Sequence, residues 1–145
     1  MAVNATDMTP AEWEVMRIIW TKGSLGSSEV IAAIQAKREW TESTVKTLLR
    51  RLVKKGMLAT EADGRKFIYV AQIDEKTAMN ETTTDLFDHL CAMKKGAVIN
   101  NLIAHTELSQ DDIRSMQAML AAKLPDAPKQ VACDCLGPED GCCAM

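Results

Sequence analysis

Thr41-Glu42-Ser43-Thr44-Val45-Lys46-Thr47-Leu48-Leu49-Arg50-Arg51-Leu52-Val53-Lys54-Lys55-Gly56 is the stretch that decides the fold of this chain. Val45, Leu48, Leu49 and Leu52 recur at helical spacing and form one apolar stripe. Basic residues crowd the last turn, and Gly56 stands where a helix end favours a left-handed residue. The opposite direction carries Ser43, Lys46, Thr47, Arg50 and Lys54, with Thr44 and Arg51 on its flanks. On most amphipathic helices such a face is simply solvated. Here its only carboxylate is Glu42 at the start, and none follows through residues 43–55.

The neighbouring sequence supplies the context. Downstream, 57–61 and 66–71 read as strands joined by Ala62-Asp63-Gly64-Arg65, in which Asp-Gly favours a tight hairpin turn. Upstream, Thr9 can cap a helix with Pro10 at its first position and Glu12 completing a capping box. That helix runs to about Thr21, turns Trp13, Met16, Ile19 and Trp20 to one face, and is broken by Gly23 and Gly26. Ser27 or Ser28 caps a short second helix through about Ala36, with Val30, Ile31 and Ile34 inward. Three helices and a hairpin tipped by Arg65 and Lys66 make a winged helix-turn-helix. Its third helix presents groove-reading chemistry: arginine for guanine, threonine for thymine methyls or base-edge polar atoms, lysine and serine for phosphates. The predicted DNA-binding set is Ser43, Thr44, Lys46, Thr47, Arg50, Arg51, Lys54, Arg65 and Lys66.

Charge distribution agrees with that assignment. The net charge is -3, yet residues 1–71 carry 11 Lys/Arg against 8 Asp/Glu, while residues 72–145 carry 6 against 12. A basic front half outweighs the acidic total as a guide to partners. Beyond Gln72 come helical segments over roughly 75–93, 97–105 and 110–123. The first spaces Met79, Leu86, Phe87 and Leu90 helically; the last has a Ser109 cap and Asp112, then Ile113, Met116 and Leu120. These single apolar faces have too little chain for a core of their own, so dimerisation is the economical way to bury them. The expected fold is mainly α with a small β-hairpin: a winged-helix domain over 1–72, a helical dimerisation region over 73–124, and a linker with a cysteine-rich tail over 125–145.

That tail, Cys133-Asp134-Cys135-Leu136-Gly137-Pro138-Glu139-Asp140-Gly141-Cys142-Cys143-Ala144-Met145, holds four of five cysteines in a polar segment with little to pack. Thiolates select soft ions such as Cu(I) and Zn(II). The first pair suits chelation, because alternate residues of an extended segment point the same way. Adjacent Cys142 and Cys143 diverge, which fits a Cu(I) site of two or three sulfurs better than a four-thiolate tetrahedral zinc site. Cys91 reads as a packed core thiol on the face of Leu86 and Leu90, and His89 and His105 stand outside any ligand spacing. Met16, Met79 and Met116 fall at core-facing helical positions, so the methionines read as packing. No catalytic motif occurs, and no apolar run approaches a membrane span or signal peptide, so a cytoplasmic non-enzyme is expected.

The chain resembles the BlaI/MecI/CopY family of bacterial repressors, most closely its copper-responsive CopY branch. The resemblance rests on Met8-Thr9-Pro10-Ala11-Glu12-Trp13-Glu14-Val15-Met16, on Thr44 through Gly56, and on Gly64-Arg65-Lys66-Phe67-Ile68-Tyr69. Leu86-Phe87-Asp88-His89-Leu90-Cys91 and Leu108-Ser109-Gln110-Asp111-Asp112-Ile113 extend it into the rear half. It implies a homodimer on a palindromic double-stranded operator, with metal ligands at Cys133, Cys135, Cys142 and Cys143. In that branch Zn(II) accompanies the operator-bound form, and Cu(I), with a copper chaperone as donor, releases the repressor to permit expression of copper-export genes. The usual tail is Cys-x-Cys, four residues, Cys-x-Cys; this chain has Cys133-x-Cys135, six residues, then Cys142-Cys143. Two rival readings are a β-lactam-type repressor inactivated by proteolysis and a thiol-redox or metal-buffering protein.

Overall fold

In the computed structural model, which describes residues 4–135, the Thr9 hydroxyl accepts the Glu12 backbone N–H at 3.2 Å and starts α1, Pro10–Lys22. Pro10 occupies the first turn, where its missing N–H costs nothing. The expected capping box is half formed. The Glu12 carboxylate accepts from the Thr9 hydroxyl at 3.2 Å and turns mainly to Lys55, whose ammonium lies 2.9 Å from both of its oxygens. Gly23, with φ of 89°, ends the helix by donating to the Ile19 carbonyl.

The sequence reading missed a strand. Leu25–Gly26 forms β1, pairing Leu25 with Tyr69 and Gly26 with Ile68, so with β2 (Leu58–Asp63) and β3 (Lys66–Ala71) the hairpin becomes a three-stranded antiparallel sheet of order β1-β3-β2. A two-residue strand has too few side chains to show alternation. Gly26 is also the cap of α2, Ser27–Gln35, donating its N–H to the Glu29 carboxylate at 3.3 Å, in place of the expected Ser27 or Ser28.

Helix α3, Glu42–Lys54, is capped by Thr41, whose hydroxyl accepts the Thr44 N–H at 3.2 Å. Its far end is closed by two bonds, Gly56 N–H to the Val53 carbonyl at 3.1 Å and Met57 N–H to the Leu52 carbonyl at 3.0 Å. This pattern needs a left-handed residue between them, and Gly56 has φ of 82°. The stripe Val45, Leu48, Leu49 and Leu52 is buried as expected. Each such side chain contributes roughly 1.5–3 kcal/mol by leaving water. It meets Val15, Met16 and Ile19 of α1, Val30 and Ile34 of α2, and Met57 and Leu58 at the sheet.

Strands β2, Leu58–Asp63, and β3, Lys66–Ala71, pair from Leu58 with Ala71 to Asp63 with Lys66. The connection is therefore the two residues Gly64 and Arg65, shorter than the four-residue link expected. Gly64 has φ of 63°, the positive value that the first position of a two-residue hairpin turn requires.

Helix α4, Glu75–Asp88, starts on an Asp74 carboxylate that accepts from the Thr77 hydroxyl at 2.7 Å and its N–H at 3.0 Å. These bonds hold the Asp74 carboxyl below the usual aspartate range, the side-chain bond most of all. The helix ends five residues earlier than the expected 93, because His89 and Leu90 tighten into bonds to the Leu86 and Phe87 carbonyls and Cys91 becomes extended. One compact unit ends at Asp85 and a second begins at Leu86. The first includes Ile73 and Ala78 in its core, and the Trp20 indole donates to the Ile73 carbonyl at 2.8 Å.

The second unit contains α5, Lys95–His105, and α6, Gln110–Lys123. The bounds of α6 match the sequence expectation, with Ser109 and Asp112 forming a reciprocal capping box. Among its described residues none is buried, and Ile99, Leu102, Ile103, Ile113, Met116 and Leu120 are exposed. Met16 packs in the first core, whereas Met79 and Met116 face outward in the single chain. No helix among the described residues is long and apolar enough to cross a membrane.

Candidate functional site

All nine residues expected to meet DNA lie in the first unit and are exposed. Helix α3 positions seven of them because its stripe is locked into the core, which forces the opposite face outward. The local hydrogen bonds then sort their roles. Thr47 donates its hydroxyl to the Ser43 carbonyl at 2.9 Å, so its methyl is left as the outward group, suited to a thymine methyl. The Thr41 hydroxyl lies 3.1 Å from that of Ser43 and 2.9 Å from that of Thr44, tying both into the helix cap. Arg50, Arg51 and Lys54 have no acidic partner among the described residues. Their donors are available for bases or phosphates.

Lys46 differs. It pairs with Glu42 at 2.8 Å, one helical turn back, and that hydrogen bond, followed by the ammonium charge, holds the Glu42 carboxyl below the usual range. On the expected DNA face, this exposed pair would compete with a phosphate for the same ammonium. Glu42→Gln is expected to tighten binding by about two- to threefold at low salt, equally on operator and random duplex, because phosphate contacts carry no sequence information. Fluorescence anisotropy titrations check this; unchanged affinity on both duplexes would show that Lys46 does not face the backbone.

Lys55, the second lysine of the basic run, is not part of this face. Its ammonium donates to the Asp7 carbonyl at 2.6 Å and to the buried Glu12 carboxylate, pinning the end of α3 to the start of α1. At the hairpin tip Arg65 and Lys66 are exposed as expected, and Phe67 beside them is 64% exposed. A groove along α3 is lined by Lys46, Arg50 and Lys54 together with Ser27, Thr60 and Tyr69. The sequence reading left these last three out. Thr60 and Tyr69 are cross-strand partners of β2 and β3, and they meet α3 only through the tertiary packing, so no local pattern reveals it.

A second constellation lies in the second unit. The sulfurs of Cys91, Cys133 and Cys135 fall within 4.8 Å of one another, with Cys91 Sγ 3.6 Å from Cys133 Sγ. Three thiolates sharing one ion at ordinary metal–sulfur distance sit about 4 Å apart, so the spacing fits a single soft ion. Cys133 stands here as half of a disulfide, whereas Cys91 and Cys135 carry thiols, so ion binding through Cys133 requires reduction first. The Asp134 carboxylate accepts the Ala92 N–H at 2.8 Å, and the Cys135 N–H approaches Cys133 Sγ at 3.4 Å. Cys91, expected as a packed core thiol, is half-buried and outside the core, because α4 ends before it. Of the four expected ligands, Cys133 and Cys135 are brought together; Cys142 and Cys143 lie outside the described residues. His105 is turned back to the Asn101 carbonyl at 2.9 Å.

The family described as penicillinase repressor matches residues 8–122. The uncharacterized 16.5 kDa protein of the ptsI 3' region of Latilactobacillus sakei is 52% identical over 136 residues, covering 94% of this chain and 93% of its own. The methicillin resistance regulatory protein MecI of Mammaliicoccus sciuri is 31% identical over 117 residues, covering 81% and 95% respectively. Two solved structures also match: the DNA-binding domain of the repressor BlaI, 38% identical with a TM-score of 0.47 over 51% of this chain and 90% of that one, and the CopR repressor, 48% identical with a TM-score of 0.41 over 47% and 99%.

Proposed function

This chain belongs to the penicillinase repressor family and is a transcriptional repressor rather than an enzyme, and from that premise we propose that it is a cytoplasmic homodimer of the copper-responsive kind, released from palindromic operator DNA when Cu(I) binds its C-terminal cysteines. The observation that carries the copper reading is the convergence of three cysteine sulfurs within 4.8 Å. The family match covers residues 8–122, so Cys91 lies inside it and Cys133 and Cys135 lie beyond it. A repressor inactivated by proteolysis has no use for them.

The DNA-binding set is Ser43, Thr44, Lys46, Thr47, Arg50, Arg51, Lys54, Arg65 and Lys66, and the ligand set Cys133, Cys135, Cys142 and Cys143. What supports dimerisation through the region 73–124 is its exposed apolar surface: Leu102, Ile103, Ile113, Met116 and Leu120 lie on helices that bury nothing by themselves. Two copies place two α3 helices about one DNA turn apart, and small changes in their spacing disturb binding to a two-fold operator. Zn(II) is assigned to the DNA-bound form, with a copper chaperone supplying the displacing ion and copper-export genes as targets.

The test uses an operator duplex selected from a random-sequence pool by the wild-type protein. Zn(II) and then Cu(I) are titrated onto the complex under anaerobic, reducing conditions. Cu(I) is expected to release the wild-type protein and to leave the variant with Ser at 133, 135, 142 and 143 bound. Release of that variant at the same copper level would reject the tail as sensor, and retention of the wild type would reject copper as the signal.

A further inference from the structure

The proposed ligands all lie in the tail, but the geometry points to a further one: we propose that Cys91 is a third ligand to the copper held by Cys133 and Cys135, so that the ion staples the tail to the junction between α4 and α5. This rests on the copper reading above and adds a residue 42 positions away from Cys133 in the chain. Cys91 caps the short turn 92–94 that runs directly into α5. Its backbone is extended, with φ of -60° and ψ of 124°, and its sulfur lies 3.6 Å from Cys133 Sγ.

A second contact holds the same junction. The Asp134 carboxylate, between the two tail cysteines, accepts the backbone N–H of Ala92 at 2.8 Å. The tail is therefore seated by a hydrogen bond that does not involve sulfur, and that bond sets Cys133 and Cys135 on the same side as Cys91. Three sulfurs complete a Cu(I) site without a fourth ligand, whereas zinc prefers four. The consequence for signalling is direct. A ligand pair confined to the tail reports an ion only to the tail, but a ligand at the head of α5 fixes the position of the tail against a helix that carries exposed Ile99, Leu102 and Ile103.

Two measurements on the full-length reduced protein, both under anaerobic conditions, test this. First, iodoacetamide labelling of the wild type is followed residue by residue by mass spectrometry before and after one equivalent of Cu(I). Cys91 is expected to lose its labelling in step with Cys133 and Cys135; protection of those two with Cys91 labelled as before overturns the proposal. Second, Cu(I) affinity is measured by competition with a chromophoric Cu(I) chelator. Cys91→Ser and Cys91→Ala are each expected to weaken binding tenfold or more, and wild-type affinity in both overturns the proposal. The labelling arm needs no variant, so a folding defect in either substitution leaves it decisive. Failure of the copper reading looks different: in that case Cu(I) protects none of the three cysteines and does not dissociate the operator complex.

Discussion

Lys55→Met is expected to lower the stability of the first unit by about 2–3 kcal/mol, measured by urea denaturation as a shifted midpoint with an unchanged slope. The Glu12 side chain is 1% exposed and holds both its oxygens 2.9 Å from the Lys55 ammonium. Removing the lysine leaves a buried carboxylate with the Thr9 hydroxyl as its remaining side-chain donor. Breaking a fully buried pair from one side costs about 3–5 kcal/mol, and the 30% exposure of the lysine places this pair below that range. Adding Glu12→Gln to the Lys55→Met chain is expected to recover part of the loss, because the amide carries no charge to leave uncompensated. A single variant within 0.5 kcal/mol of wild type would show that water replaces the ammonium without cost. DNA affinity measured well below the midpoint is expected to change little, since Lys55 faces α1 and not the groove.

Arg50→Ala is expected to reduce affinity for the selected operator by about ten- to hundredfold, while affinity for random duplex falls only a few-fold. Arg50 lies on the outward face of α3, lines the groove with Lys46 and Lys54, and has no acidic partner among the described residues. A bidentate contact to guanine is lost whole when the guanidinium goes, whereas one phosphate contact among many affects every sequence alike. Lys54→Ala is the comparison: near the end of the helix, it is expected to weaken both duplexes by similar factors and to flatten the salt dependence by about one phosphate contact. Competition gel shifts at fixed salt separate the two behaviours. Equal loss on both duplexes for Arg50→Ala would assign Arg50 to the backbone.

These variants also show where the sequence was readable. Helix α3 was legible from end to end because everything that defines it is local: the Thr41 cap, the stripe at helical spacing, and Gly56 at φ of 82°. The same holds for α6, whose Ser109 and Asp112 cap each other within four residues. The strand at Leu25–Gly26 was not legible, because its pairing partner lies more than forty residues away and two residues hold no period. Nor was the use of Glu12. Three residues after Thr9 it has capping-box spacing, and only the approach of Lys55 from α3 draws the carboxylate away.

What the sequence by itself determined is the helices, the hairpin of β2 and β3, and the two chemistries they carry, a basic helix face and a cluster of tail thiols, because caps, periodicity and residue type act over a few neighbouring positions. The tertiary structure decided which charges and thiols share a place. Lys54 faces out and Lys55 faces in although they are adjacent, since a helix turns each successive residue by about 100° and the core claims one side. Cys91 meets Cys133 across 42 positions only because α4 ends at Asp88 and the tail returns to the junction that follows. Such proximity is a property of the folded path, and no local pattern along the chain encodes it.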